Sequence, residues 1–212
     1  MTEQLKIINN FISREDAEYI TNYFRKTVTN NEYNANTFPS KVGFKNSKEA
    51  SMLSEENPLQ FVNGFSDKDL SIKITKLVLE IKNNLEVFFQ QQLDLVQFAY
   101  HVMAPGAHNG LHSDSTTLDG KPNRPDGIPE EQEYSALLYF NDHGVDYLGG
   151  ELVFPKQDLI IKPKCGDLII FKGDHLYPHS VNLVEMGLRD TLVLFFGKKG
   201  NVSDRTITSI VD

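Results

Sequence analysis

Leu111-His112-Ser113-Asp114 is the stretch around which this 212-residue sequence can be organised. Side chains of an extended strand alternate between its two faces, so His112 and Asp114 project from the same face. One strand end can therefore offer an imidazole and a carboxylate to a single metal ion. A distant histidine, His179 in Pro178-His179-Ser180-Val181, is the candidate for a third ligand. Two histidines and one carboxylate leave the opposite coordination positions open, which suits ferrous iron in an oxygenase.

Two further motifs lie between His112 and His179. They are Tyr147-Leu148-Gly149-Gly150-Glu151-Leu152-Val153-Phe154-Pro155 and Pro163-Lys164-Cys165-Gly166-Asp167-Leu168-Ile169-Ile170-Phe171. Together with His112-x-Asp114, His179 and Arg189, they resemble the motifs of the iron(II) and 2-oxoglutarate-dependent dioxygenases, and within them the prolyl 4-hydroxylase-like group. The resemblance spans residues 95 to 197, and it implies the double-stranded β-helix fold of that family.

The resemblance also implies cofactors and the residues that bind them. His112, Asp114 and His179 would hold iron(II), and 2-oxoglutarate would be the cosubstrate, with ascorbate as a candidate reductant. In the family a basic residue, here Arg189, anchors the far carboxylate of 2-oxoglutarate, and a tyrosine from the strand before the Gly-Gly motif often assists. Tyr139 is the candidate for that tyrosine, and Tyr100 is a second candidate.

The surroundings of Arg189 favour an anchoring role as well. Arg189 is flanked by apolar residues, namely Leu188, Leu192, Leu194 and Phe196. A buried guanidinium requires an anion, and it can grip a carboxylate with two parallel hydrogen bonds. Residues 184–187 are expected to form a turn that places Arg189 on the strand next to His179, on the order of 10 Å from the metal. The alternative is an exposed arginine at the start of a strand.

The expected reaction is oxidative hydroxylation of an unactivated C–H bond, with dioxygen consumed. The resemblance favours a prolyl residue in a peptide or protein as the substrate. Two alternatives stay open, namely hydroxylation of a free amino acid or other small molecule, and a non-catalytic jelly-roll module that binds a metal or a carbohydrate. A zinc protease is disfavoured, because Gly110 opposes a helix between His108 and His112, and no glutamate follows His108.

Hydrophobic periodicity predicts helices first and strands afterwards. A short strand is expected at 5–11, a helix from Ser13 to about Lys26, and a second helix after Ser66 with apolar residues at spacings of three and four. From Leu95 the period becomes two, and β-type runs follow at 134–141, 150–154, 158–161, 167–172, 179–183 and 189–197. This order predicts a mainly β fold with supporting helices, a jelly roll. We expect one domain over 1–212, with helical support to about residue 92 and the jelly-roll core at about 93–200.

Two long segments lack periodicity. Residues 28–60 are predicted to be irregular surface chain, and residues 115–133 follow two candidate ligands directly. The second segment is either a lid over the site or a solvated loop.

Charge and cysteine content restrict partners and location. The net charge is -8, which argues against nucleic acid, since phosphate binding needs clustered cations. Cys165 is the single cysteine, so no intrachain disulfide can form and a reducing compartment is expected. The sequence shows neither a leader nor an apolar run long enough for a bilayer, so a cytoplasmic protein without membrane contact is predicted.

Overall fold

The computed structural model describes residues 4–29, 68–123 and 132–200 of the chain. This part of the chain contains two α-helices, α1 (Arg14–Thr29) and α2 (Lys68–Phe89). It also contains eleven strands: β1 (Leu5–Ile8), β2 (Leu93–Met103), β3 (Asn109–His112), β4 (Tyr134–Tyr139), β5 (Tyr147–Gly149), β6 (Leu152–Phe154), β7 (Leu159–Ile161), β8 (Leu168–Lys172), β9 (His179–Val181), β10 (Val184–Gly187) and β11 (Arg189–Lys198). Helices come first and short strands follow, as the periodicity predicts.

Both helices bury one apolar face against the larger of two sheets. α1 begins where the Ser13 hydroxyl accepts a hydrogen bond from the backbone N–H of Asp16, 3.1 Å away, which is a typical N-cap. The buried apolar positions are Ala17, Ile20 and Phe24 in α1, and Leu70, Ile74, Leu77, Val78, Ile81 and Leu85 in α2. The predicted helices are confirmed, and α1 extends to Thr29, past the expected end at Lys26.

The strands form two antiparallel sheets and one separate strand pair. The larger sheet has the order β1-β8-β4-β11-β2, the smaller has the order β3-β9-β6-β7, and β10 pairs with β5. Alternate residues of the larger sheet face the helices, and the others meet the smaller sheet across a second apolar cluster, which includes Leu137, Leu152, Phe154, Phe171 and Val193. Two facing sheets with helices outside one of them are the predicted jelly roll with helical support.

The segment before Arg189 departs from the prediction. Residues 184–187 form strand β10, which pairs with β5, rather than a turn that closes a hairpin between β9 and β11. The turn comes later, at Gly187, whose φ of +74° suits a residue without a side chain. His179 therefore lies in the smaller sheet and Arg189 in the larger one, so they face each other across the jelly roll and are not on neighbouring strands.

Some strand boundaries also differ from those expected. β1 ends at Ile8 rather than at residue 11, and β6 begins at Leu152 rather than at residue 150. Gly149 and Gly150 explain the second difference, because their φ values of +70° and +66° bend the chain between β5 and β6. β1 pairs with β8, so the segment before residue 92 contributes a strand to the larger sheet in addition to the helices.

The segments without periodicity lie only partly in the described residues. Residues 115–123 fold back on the chain after β8, where the backbone N–H of Ser115 donates to the Gly173 carbonyl at 2.8 Å. The remainder of the expected lid up to residue 131 lies outside the described residues, and so does the expected irregular segment beyond residue 29. Neither α1 nor α2, the helices of the described chain, combines the length and apolar composition that a membrane span needs.

Candidate active site

Three residues with metal-ligating side chains lie together at the edge of the smaller sheet that is formed by β3 and β9. β3 and β9 are antiparallel neighbours, and their register places His112 opposite His179. Asp114 follows β3 by two residues, and its Oδ1 lies 3.5 Å from His112 Nε2 and 3.7 Å from His179 Nε2. One ligand atom from each residue falls within 4.8 Å of the other two. The structure thus brings together the three residues that the sequence nominates as metal ligands.

The two imidazoles are oriented so that their Nε2 atoms point toward Asp114. His112 Nδ1 lies 2.8 Å from the Gly110 carbonyl, and His179 Nδ1 lies 3.3 Å from the Tyr177 carbonyl. A carbonyl can only accept, so each Nδ1 carries the proton and each Nε2 of a neutral ring keeps its lone pair. Histidines that bind metals are commonly held by a backbone carbonyl in this way. The two Nε2 atoms and the Asp114 carboxylate therefore form a set of ligands that fits a divalent iron ion.

Asp114 is held by a neighbour on β4 that the motif does not contain. The hydroxyl of Ser135 donates to Asp114 Oδ2 at 2.6 Å, which leaves Oδ1 directed at the histidines. Burial acts to raise the pKa of Asp114, but the charges that His179 and His112 carry when protonated, together with the Ser135 hydrogen bond, hold it below its ordinary value. The Asp114 side chain is therefore a carboxylate, the form that binds a cation.

Gly173, in the loop before β9, makes room for this contact. A side chain at Gly173 would place its Cβ 3.2 Å from the Cβ of Asp114 and 3.3 Å from the Ser135 hydroxyl oxygen. Sequence reasoning missed both Ser135 and Gly173. Ser135 could have been found from the alternation along β4, which puts it on the same face as Leu137 and Tyr139.

Arg189 lies at the other end of the site and is buried, with only 3% of its surface exposed. Its partners in the described chain are neutral. Nε donates to the Gly150 carbonyl at 3.1 Å, Nη1 to Thr191 Oγ1 at 3.1 Å and to Met103 Sδ at 3.3 Å, and Nη2 to the Tyr139 hydroxyl at 2.8 Å. No carboxylate among the described residues pairs with it. A buried guanidinium without a carboxylate is costly unless an anion binds beside it.

Tyr139 is placed by the pairing of β4 with β11, in which it stands opposite Thr191. Its ring lies beneath the guanidinium of Arg189, with 4.9 Å from Cζ to the ring centre. Burial raises the pKa of the Tyr139 phenol, and the charge of Arg189 acts in the opposite direction. The phenol therefore stays protonated, and because its oxygen accepts from Arg189, its own proton is available to an anion.

Tyr100 does not lie in this site, and the role expected for it is corrected. Its hydroxyl donates to Asp190 Oδ1 at 2.9 Å on the helix side of the larger sheet, and its ring stacks on Phe24 of α1 at 4.3 Å. The residue of β2 that stands opposite Arg189 is Met103. A strand turns successive side chains to opposite faces, so a small difference in register decides which residue reaches the site.

One pocket connects Arg189 with the three candidate metal ligands His112, Asp114 and His179, which we call the triad. Between these two ends, its walls include Met103, Leu137, Leu152, Val181, Thr191 and Val193. His101, to which the sequence assigned no role, also lines this pocket, whereas His108 and His175 do not. The site therefore combines a metal-ligating end, a buried cation and largely apolar walls between them.

Sequence comparison agrees with this geometry. Residues 96–197 match the model of the 2OG-Fe(II) oxygenase superfamily. The chain is also 38% identical over 94 residues to prolyl 3-hydroxylase 2 of Rattus norvegicus, a segment that makes up 41% of this chain and 13% of that protein. The chain thus spans only a small part of the curated relatives it matches.

Solved structures with the same fold are found as well. The viral collagen prolyl hydroxylase of Paramecium bursaria Chlorella virus-1, solved with 2OG, has a TM-score of 0.60 at 17% identity and covers 93% of this chain and 97% of its own. A prolyl hydroxylase from Trichoplax adhaerens, solved with a peptide fragment of the hypoxia inducible factor oxygen degradation domain, has a TM-score of 0.58 at 16% identity, with 94% and 86% covered. At such identities the likeness shows the fold, a jelly roll. Residues 96–197, which carry His112, Asp114, His179 and Arg189, therefore form a 2OG-Fe(II) oxygenase domain.

Proposed function

We propose that this protein is an iron(II)- and 2-oxoglutarate-dependent dioxygenase that hydroxylates a C–H bond of a prolyl residue in a peptide or protein. The observation that carries the proposal is the pairing of two features in one pocket. His112, Asp114 and His179 converge at one end, and the buried Arg189, with only neutral partners among the described residues, lies at the other. A non-catalytic metal-binding module would have no use for the second feature.

His112, Asp114 and His179 would hold iron(II), with Ser135 fixing the carboxylate that binds it. Arg189 and Tyr139 would orient 2-oxoglutarate by its far carboxylate, since a guanidinium and a phenol proton are both directed donors. The apolar walls of the pocket would exclude water from the space between these two ends. When bound, iron(II) and 2-oxoglutarate supply the oxidising chemistry, which consumes dioxygen and releases succinate and carbon dioxide.

The choice of a prolyl substrate rests on the relatives. The rat relative is named for prolyl 3-hydroxylation, and both structural neighbours are named as prolyl hydroxylases, one of them solved with a peptide. Hydroxylation of a free amino acid or another small molecule is the competing outcome. Ascorbate is proposed as the reductant that keeps the iron ferrous, and the cytoplasm is proposed as the location because Cys165 is the single cysteine.

The test is succinate formation by the purified protein with iron(II), 2-oxoglutarate, ascorbate and a panel of substrates. The panel contains proline-containing peptides, the same peptides with alanine in place of proline, and free amino acids. We expect succinate and a product heavier by one oxygen atom only with the proline peptides, and neither with the Asp114→Ala variant. Turnover with a free amino acid alone would overturn the peptide assignment, and a complete lack of 2-oxoglutarate binding would overturn the enzyme assignment.

A further inference from the structure

A second tyrosine lies beside the cation of this site without an assigned role. Tyr147, at the start of β5, is only 2% exposed, and its hydroxyl has no well-directed hydrogen-bond partner within the described chain. A fully buried hydroxyl that donates to nothing loses its water partners without compensation. Such groups are uncommon in folded proteins and call for a ligand or another explanation.

The backbone places this phenol next to Arg189. β5 pairs with β10 so that Tyr147 stands opposite Gly187, two residues before Arg189. Gly150 lies between them, and a Cβ built on it would be 3.0 Å from Cδ of Arg189 and 3.4 Å from Cε2 of Tyr147. The tyrosine ring and the arginine side chain therefore pack side by side, with the bend at Gly150 between them.

Electrostatics agrees with this placement. Burial raises the pKa of the Tyr147 phenol well above its ordinary value, and the nearby charge of Arg189 acts in the opposite direction. Tyr139 also lies close enough to influence it. The phenol is thus a neutral donor close to both Arg189 and Tyr139.

We propose that Tyr147 is a further cosubstrate-binding residue, whose hydroxyl donates to the far carboxylate of 2-oxoglutarate together with Arg189 and Tyr139. The inference rests on the proposed function, and it adds a residue to it. A carboxylate has two oxygens with about four acceptor positions, so it can take two phenol protons and the guanidinium at once. Such a site would select a keto acid that carries a second carboxylate.

The experiment compares two keto acids and two variants. Manganese(II) replaces iron, and binding of 2-oxoglutarate or of 2-oxopentanoate, which lacks the far carboxylate, is measured from the melting temperature. The test variant is Tyr147→Phe, which keeps the ring and removes only the hydroxyl. Tyr100→Phe is the control, because Tyr100 is also buried but lies on the opposite face of the larger sheet.

We expect Tyr147→Phe to bind 2-oxoglutarate about tenfold or more weakly, as for loss of a hydrogen bond to a charged group. Binding of 2-oxopentanoate and of manganese should stay as in the parent, and Tyr100→Phe should retain the parent's preference. Unchanged 2-oxoglutarate binding by Tyr147→Phe, or an equal loss for both acids, would overturn the inference and leave the proposed function standing. A parent protein that binds no 2-oxoglutarate would overturn both.

Discussion

Arg189 and Asp190 are adjacent in the sequence but serve opposite sides of the larger sheet. Arg189 reaches into the pocket, whereas Asp190 is fully buried toward α1, where it pairs with Arg25 and accepts hydrogen bonds from Tyr100 and Asn141. Two adjacent residues of β11 therefore have separate roles. Arg189 supplies the cation of the site, and Asp190 attaches α1 to the sheet. A change at either residue should affect only one of these functions.

Asp190→Ala should destabilise the fold without weakening 2-oxoglutarate binding. Breaking a buried ion pair costs about 3–5 kcal/mol. Arg25 is 38% exposed and can be hydrated again, so we expect a loss near the lower end, about 3 kcal/mol. Urea unfolding measures it, with Asp119→Ala as the control because Asp119 pairs with Lys121 on the surface. Equal stability of Asp190→Ala and the parent would show that the network does not hold α1 in place.

Replacement of His112, Asp114 or His179 by Ala should abolish iron binding and turnover. The fold should survive, because these residues lie at strand ends and none of them belongs to the apolar core clusters, although His179→Ala removes ring contacts with Phe154 and Phe171. Metal content after dialysis and circular dichroism together check both parts of the prediction. His108→Ala is the matched control, since His108 is exposed and lies outside the pocket. A triad variant with normal iron content would be removed from the ligand set.

Ser135→Ala should weaken metal binding while leaving all three ligands present. Loss of a hydrogen bond to a metal-bound carboxylate typically lowers metal affinity about 10–100-fold. Manganese titration followed by the melting temperature gives the affinity, and Ser180→Ala, on β9 next to His179, serves as the control. An unchanged affinity would mean that Asp114 is oriented without its 2.6 Å contact to Ser135.

Arg189→Ala should weaken 2-oxoglutarate binding with little change in iron affinity. Loss of one partner of a buried charge pair costs about 3–5 kcal/mol, which at roughly 1.4 kcal/mol per decade corresponds to about a hundredfold or more. Arg189→Lys should be milder, because it keeps the charge and loses only the planar fork. The measurement is the apparent 2-oxoglutarate affinity of the parent and both variants, determined from succinate formation. Parent-like binding by Arg189→Ala would place the anchor elsewhere.

The segment at residues 115–133 should become less accessible when the site is filled. Its described part is already tied to the site, since the Asn123 side chain donates to the Asp114 carbonyl at 3.2 Å. Limited proteolysis with and without iron(II), 2-oxoglutarate and a substrate peptide measures the effect, and mass spectrometry locates the cuts. Identical cleavage rates in this segment would make it an ordinary surface loop.

Local sequence patterns predicted most of the fold. The helical spacing of α2 and the alternation along β2 are local properties, and they gave the element types correctly. The His-x-Asp pattern with a distant histidine likewise nominated three residues that the structure brings together. The pairing of β10 with β5 could not be predicted, because it depends on contacts between segments far apart in the chain.

The residues that support the site were harder to predict for the same reason. Ser135 touches Asp114 only because β4 runs beneath the loop that follows β3, and no motif marks this contact. Tyr100 is expected in the site and Met103 is not, because the sequence does not show the register of β2 against β11, which places Met103 opposite Arg189. Register is a tertiary property, and one residue of error reverses the face.

Gly150 shapes the site although it carries no side chain. Its carbonyl accepts from Arg189 at 3.1 Å, and the bend at its φ of +66° holds the arginine where a Cβ would collide. The position of the anchor is thus set by main-chain geometry. A protein engineer who wished to accept a shorter or longer keto acid would therefore begin with the length of the side chain at residue 189, because its Nε is tied to the Gly150 carbonyl.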